Sequence, residues 1–205
     1  MSRKIVTIGR EFGSGGRQIG EGLAKALGIP YYDKEILRKA SESSGICDSV
    51  MENYDEKPTS SFLYSLVMDP YATGFVGNNF QVPLNQKVFM ASFNAIKEIA
   101  EEGPCVIVGR CADYALADND NVLSVFIQAP IENRIKHIMD RMNMDKAKAE
   151  MMINKTDKQR ASYYNYYTTK KWGERSGYHM TIDSSLLGIE GTIELLKNIY
   201  LGFEK

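Results

Sequence analysis

The sequence predicts an α/β protein, a single doubly wound domain built on a parallel five-stranded sheet. Three observations predict it. Short β-branched runs that read as buried strands alternate with stretches of helical period along the chain. The first such run leads straight through a glycine loop, GSGG at 13–16, into a helix. A length of 205 residues, 43% of them apolar and 25% charged, suits one core with a sizeable insertion and argues against wholesale disorder.

The elements follow in order. KIVTIG, at 4–9, is a β-branched strand ending in glycine. RQIGEGLAKALG places Ile19, Leu23, Ala26 and Leu27 at helical spacing, with Gly28 where a C-cap belongs. IPYY gives a brief strand, and Asp33 reads as the N-cap of a second helix. Residues 45–85 lose the pattern; rich in Tyr, Phe, Ser, Gly, Asn and Pro, they read as an inserted cap with short helices. Regularity returns with a helix ending at Gly103, the strand CVIVG, the strand VLSVFIQA, and a helix opened by Pro130. A charged helical stretch covers 145–161, an aromatic-polar segment follows, and the strand HMTID and helix GIEGTIELLKNIY close the chain.

Composition removes several function classes. The formal net charge is −1, so no global basic field draws nucleic acid or an anionic membrane. The lysines near Lys170 and Lys171 lack the wider basic face that nucleic-acid binding needs. No stretch approaches the roughly 20 apolar residues of a membrane helix, and the start of the chain is not a signal peptide. Cys47, Cys105 and Cys111 have no close metal-type spacing and only His137 and His179 accompany them, so zinc is not expected. Reduced thiols in a soluble, cytoplasmic protein are the expectation.

The loop carries the chemistry. Between a strand and a helix, Gly13, Ser14, Gly15 and Gly16 let consecutive backbone N–H groups turn inward, and the helix dipole adds to them. That is a cradle for phosphate. Aligned on Gly16, the standard phosphate-loop pattern is altered: Glu11 replaces its first glycine, Arg17 its lysine and Gln18 its Ser or Thr. Arg17 still brings a positive charge, as a planar fork suited to two phosphate oxygens. A cation on the first turn of a helix also opposes the dipole unless an anion sits there. Gln18 offers a metal only a neutral amide oxygen.

TIGREFGSGGRQIGEGLAKALGIPYYDKEIL, VIVGRCADYAL, DKQRASYYNYYT and YHMTIDSSLLGIEGTIELL together resemble the cytidylate kinase-like family, over about residues 4–200 and least in the insert. The resemblance implies a P-loop NTPase-type sheet over one domain, 1–205, with an acceptor-binding insert at 40–90 and a lid at 134–175. It implies ATP as donor with Mg²⁺, a nucleoside monophosphate such as CMP or dCMP as acceptor, and no nucleic-acid or membrane partner. On it, Gly13 to Gln18 bind ATP phosphates. Asp33, with Arg38 or Lys39, Arg110 and Asp113 bind the acceptor, Asp113 being the nearest carboxylate to the strand-end motif VGRCAD, which falls on the family's Asp-Gly-Arg-Asp. Arg17, Arg134 and Arg160, with Asp157, stabilise the transferring charge. The family's first Asp in that strand-end motif is Val108 here, its second is Cys111, and a lid arginine is Tyr163.

Several readings stay open. A kinase of the same fold could take another small acceptor, holding its metal through water from Glu11, Asp33 or Asp113. A nucleotide-binding regulatory module would bind without appreciable turnover. Tyr163, Tyr164, Tyr166, Tyr167 and Trp172 either stack on a base or pack the lid and line a subunit contact, which leaves a homo-oligomer open. SSFLYSL reads as acceptor-pocket lining or an ordinary capping helix. DSSLLG reads as a turn near adenine or a plain helix cap.

Overall fold

The computed structural model describes residues 5–56 and 82–202. The centre of the expected insert, with SSFLYSL, lies outside the described residues. Five strands form one sheet: β1 (Ile5–Arg10), β2 (Tyr31–Tyr32), β3 (Cys105–Val108), β4 (Val122–Gln128) and β5 (Met180–Asp183). Their order across the sheet is β2-β3-β1-β4-β5, and every pairing is parallel. The register of the centre is fixed by Ile5 opposite Cys105 and Val122, and by Ile8 opposite Val108 and Val125.

Strands buried on both faces require near-continuous apolar runs, which the short β-branched segments supply, with Thr7 and Ser124 as buried polar residues within β1 and β4. Period-two alternation divides them between two cores. Ile5, Cys105 and Ile107 face one side, where they meet α2 (Glu35–Ser44), α3 (Asp48–Tyr54) and α4 (Leu84–Glu102). Val6, Ile8, Val106, Val108, Val125 and Ile127 face the other, against α1 (Gly16–Leu27) and α8 (Ser184–Gly202). The sheet is therefore wound on both faces, as the sequence predicts.

Helix ends agree with the pattern in most places. Gly28 closes α1 in the left-handed region, with its N–H donating to Ala24 and Lys25 carbonyls. Asp33 does not cap α2; Lys34 holds that position, and no side chain caps the helix. The reason is competition, since the Asp33 carboxylate is taken by two guanidiniums. The charged helix also runs further than charge pattern suggests. After the short α5 (Ala112–Ala115) and α6 (Ile131–Met142), α7 spans Lys146–Tyr167 and includes the first half of the aromatic segment. Asp145 caps it, accepting a hydrogen bond of 2.9 Å from the Lys148 N–H.

That aromatic segment packs. Tyr167 stacks on Phe89 of α4 with ring centroids 4.1 Å apart, and Tyr163 meets the same ring edge-on. Trp172 lies edge-on to Phe126 of β4, and Tyr164 is buried beside Cys111. Tyr166 is half exposed. The core reading thus accounts for Tyr163, Tyr164, Tyr167 and Trp172.

The side of the sheet that carries α2 and α4 depends on Ile96, fully buried in that core. Ile96→Ala should lower unfolding free energy by about 2–5 kcal/mol, read by urea denaturation; a change within error would show that α4 is not part of the cooperative core.

Candidate active site

All five strands run in one direction, so their carboxyl ends share an edge, and loops leaving that edge converge. β1 delivers Arg10 and the glycine loop there, β3 delivers Gly109 and Arg110, and the turn after β2 delivers Asp33. Between them lies a cleft of about 490 Å³. Its walls include Gly13, Gly15, Gly16, Arg17 and Gln18 from the loop, with Arg10, Asp33, Glu56, Arg110 and Arg160 around them.

The loop needs its glycines. Gly13 and Gly15 have φ of +86° and +78°, the left-handed region that suits glycine. Gly16 sits on the Arg10 side chain, and a Cβ there would lie 2.5 Å from the Arg10 Cβ. The N-cap residue of α1 is Gly15, which has no side chain to cap it; only the Ser14 hydroxyl reaches the first turn, accepting from the Gly16 N–H at 3.4 Å, and the N-terminus opens onto the cleft. Ser14 turns inward. Its hydroxyl donates to the Glu11 carbonyl at 2.9 Å, and its carbonyl accepts from the Ser184 hydroxyl at 2.7 Å.

A second set of residues holds the loop from behind. Asp157 accepts from the Phe12 N–H at 2.7 Å and from Arg134 Nη1 at 2.5 Å. Arg134 also donates to the Phe12 carbonyl and pairs with Glu11, whose carboxylate accepts from the Ala129 N–H. Arg134 is nine-tenths buried, with its charge matched inside the protein. The structure therefore places Arg134 and Asp157 as braces under the loop and leaves them off the cleft wall.

In front of the loop, guanidiniums and carboxylates interlock. Arg110, 4% exposed, donates from Nη1 to Asp33 at 2.9 Å and from Nη2 to Asp55 at 2.8 Å. Arg17 Nε lies 3.0 Å from the other Asp33 oxygen. Arg10 meets Glu56 as a fork, at 2.8 and 3.2 Å, and Arg160 Nε approaches Glu56 at 3.4 Å. Burial by itself would raise the Glu56 pKa, but Arg10, Arg160 and Arg110 overcome it and hold the carboxyl well below the usual range. Burial and the neighbouring Arg10 charge push the Arg160 pKa down to about 10.

Other expected residues are elsewhere. Arg38 is exposed and pairs with Glu42 one turn along α2, and Lys39 pairs with Glu102 of α4. Neither lines the cleft; helical phase turns both toward solvent, and Lys34 is the basic α2-side residue that does line it. Asp113 accepts the Tyr164 hydroxyl at 2.6 Å, and burial raises its pKa. It is directed to the aromatic packing and away from the phosphate loop. Asp183 caps Ser185, accepting from its N–H and hydroxyl at 2.9 and 2.7 Å, so the helix-cap reading of DSSLLG describes this turn.

Arg10, Asp55 and Glu56 escape a reading by motif. Arg10 ends a strand and looks like a solvated residue, and Asp55 and Glu56 lie in the irregular region. The signal available for Arg10 is the apolar run before it, which buries whatever follows at the strand end.

Known proteins resemble the chain in sequence and in fold. The sequence matches the cytidylate kinase-like family over residues 5–186. The chain belongs to that family. A cytidylate kinase from Methanocaldococcus jannaschii is 31% identical over 104 residues, covering 49% of this chain and 58% of that protein. The chain thus spans little more than half the length of that relative. An uncharacterised protein from Eubacterium ventriosum has a solved structure 29% identical to this chain, with a TM-score of 0.69 and coverage of 96% and 97%. Shikimate kinase from Bacteroides thetaiotaomicron, 14% identical, superposes with a TM-score of 0.52 and coverage of 95% and 97%, a likeness of fold alone. The fold is that of the P-loop kinases. No described helix is long and apolar enough to cross a membrane.

A depressed carboxyl stabilises the folded chain above its unfolded pKa, and that contribution is lost as pH falls through the folded value. For Glu56 the loss begins below about pH 4.3. At pH 7, Glu56→Gln should unfold more easily than the parent by about 1–3 kcal/mol. Urea titrations from pH 7 down to pH 3 should show that gap shrinking; a constant gap would show that Glu56 ionisation does not stabilise the fold.

Proposed function

We propose that this protein is an ATP-dependent phosphotransferase of the nucleoside monophosphate type, with CMP or dCMP as acceptor. The observation that carries the reading is the convergence, on one cleft at the carboxyl edge of the sheet, of the open α1 N-terminus and five arginines, Arg10, Arg17, Arg110, Arg141 and Arg160. Family membership and the partial likeness to an archaeal cytidylate kinase support the same class of reaction.

In this reading, backbone N–H groups of residues 13–18 and the Arg17 fork bind the β- and γ-phosphates of ATP. Arg110 binds the acceptor phosphate, and Asp33 aligns Arg17 with Arg110 because one carboxylate holds both. An acceptor phosphate oxygen forms a bond to the γ-phosphorus as the bond to the β–γ bridging oxygen breaks, and ADP leaves. The acceptor is already an anion, so the step asks mainly for in-line positioning and cations around the equatorial oxygens. Arg160 supplies one such cation from α7. Arg134 and Asp157 act as positioning residues that keep the loop in shape.

Magnesium is implied by this chemistry, and the protein offers it little. Glu11 is turned to the Ala129 N–H and Arg134, Asp33 and Asp55 are paired with arginines, and Val108 is fully buried and apolar. The described residues hold no group of three His, Cys, Asp or Glu side chains suited to a metal ion. They do not fit a protein-built magnesium cage, and no step above is routed through one.

A coupled assay of ADP release with ATP, Mg²⁺ and a panel of nucleoside monophosphates tests the reading. Turnover is expected with CMP or dCMP. Turnover with a different acceptor alone would reassign the pocket, and ATP binding with no turnover would make the protein a regulatory module. Arg17→Ala should lower kcat/KM by about 100-fold or more, and unchanged kinetics would remove the loop from the mechanism. Arg110→Ala should chiefly raise the acceptor KM, and an effect confined to the KM for ATP would place the acceptor elsewhere.

A further inference from the structure

The Glu56 carboxylate occupies a site made for an oxyanion. Three hydrogen bonds converge on it, from Arg10 Nη1 at 2.8 Å, Arg10 Nη2 at 3.2 Å and the Arg110 N–H at 3.0 Å, and Arg160 Nε makes an ionic contact at 3.4 Å. Two of these form the planar fork that suits a carboxylate or a phosphoryl group equally. The third is a backbone N–H aimed by an unusual turn. Gly109, Arg110 and Cys111 have φ of +79°, +50° and +56°, three successive residues in the left-handed region. The position is tight: a Cβ on Gly109 would lie 2.1 Å from Arg10 Nη1 and 2.5 Å from Glu56 Oε1.

The carboxylate itself arrives under constraint. Glu56 lies just past the end of α3 with φ of +46°, a left-handed conformation that is unfavourable for an L residue. Its site opens on the same cleft wall as the phosphate loop. Asp55, its neighbour, occupies Arg110 Nη2 in the same manner.

We propose that Glu56 is an internal stand-in for a phosphoryl group, and that Arg10, Arg160 and the Arg110 N–H form a subsite that takes a tetrahedral phosphate oxyanion once Glu56 leaves. The subsite deepens the phosphotransferase reading and rests on it only for which phosphoryl group enters. A singly charged carboxylate offsets half of the Arg10 and Arg160 charge in the empty protein, and a doubly charged phosphate exchanges for it. The strained backbone at Glu56 relaxes on release. An empty cluster of buried guanidiniums would otherwise repel itself, so the occupant keeps the site assembled between turnovers. Arg10 then becomes a substrate-binding residue one position before the glycine-loop pattern begins at Glu11.

Calorimetric titration with inorganic phosphate, at constant ionic strength, tests this without kinase turnover. Glu56→Ala should bind phosphate about tenfold or more tightly than the parent, since its internal competitor is gone. Equal or weaker binding would overturn the proposal. Glu56→Gln keeps the side-chain shape without the charge and should also bind phosphate more tightly; unchanged affinity there would count equally against it. In the Glu56→Ala background, adding Arg10→Ala should abolish the gain, and adding Arg17→Ala should leave most of it. A gain that survives loss of Arg10, or vanishes with Arg17, would show that phosphate binds at the loop and that no subsite lies under Glu56. Loss of ATP turnover in Arg17→Ala alone bears on the kinase reading, so the two ideas can fail separately.

Discussion

A guanidinium buried at the end of a central parallel strand constrains everything around it. Arg110 cannot sit 4% exposed without compensation, because an unpaired buried charge is among the most destabilising groups a protein can hold. Asp33 and Asp55 supply that compensation from two different segments, one after β2 and one after α3. Burial alone would disfavour the charge, and Asp55, Glu56 and Asp33 more than offset it, so Arg110 stays cationic with its pKa above the ordinary value. Once Asp33 is fixed in this way it cannot cap α2, and its second oxygen is free to hold Arg17. The site's shape thus follows from one neutralisation problem solved by residues distant in sequence.

The sheet was readable because its physics is local. A strand buried on both faces has to be predominantly apolar, and the runs IVTI, CVIV and VLSVFI, with only Thr7 and Ser124 polar, satisfy that without knowledge of partners. Gly28 as a C-cap and the glycine loop between β1 and α1 were readable for a similar reason, since positive φ and close backbone approach favour glycine. Family motifs added Arg17, Arg110, Asp157 and Arg160, and the structure brings all four to the loop or its cleft.

What the sequence hid is the assignment of polar partners. Arg38 and Lys39 follow Asp33 closely in sequence, yet helical phase carries them to Glu42 and Glu102. Arg134 matches a lid position and lies beneath the loop, because Asp157 and Glu11 neutralise it there. Asp113 looks like a metal handle one turn past Arg110, and a tyrosine 51 residues away claims it. Glu56 sits in a stretch with no period at all. Each of these depends on a contact between segments far apart in the chain, which pattern and spacing do not encode.

One helix joins two regions that otherwise look separate. Along α7, Asp157 holds the loop and Arg160 reaches Glu56 and the Arg10 carbonyl, while Tyr163 and Tyr167 pack on Phe89 of α4 and Tyr164 on Tyr178. About 10 Å of unbroken helix separates Asp157 from Tyr164. A rigid rod fixed by its aromatic end acts as a lever, so a small tilt at Phe89 is delivered as a displacement at the Phe12 N–H. Side-chain volume around Phe89 is therefore connected, through one continuous helix, to the Phe12 N–H of the glycine loop. Divergence among relatives in those aromatic positions would retune the loop without altering a residue that touches it.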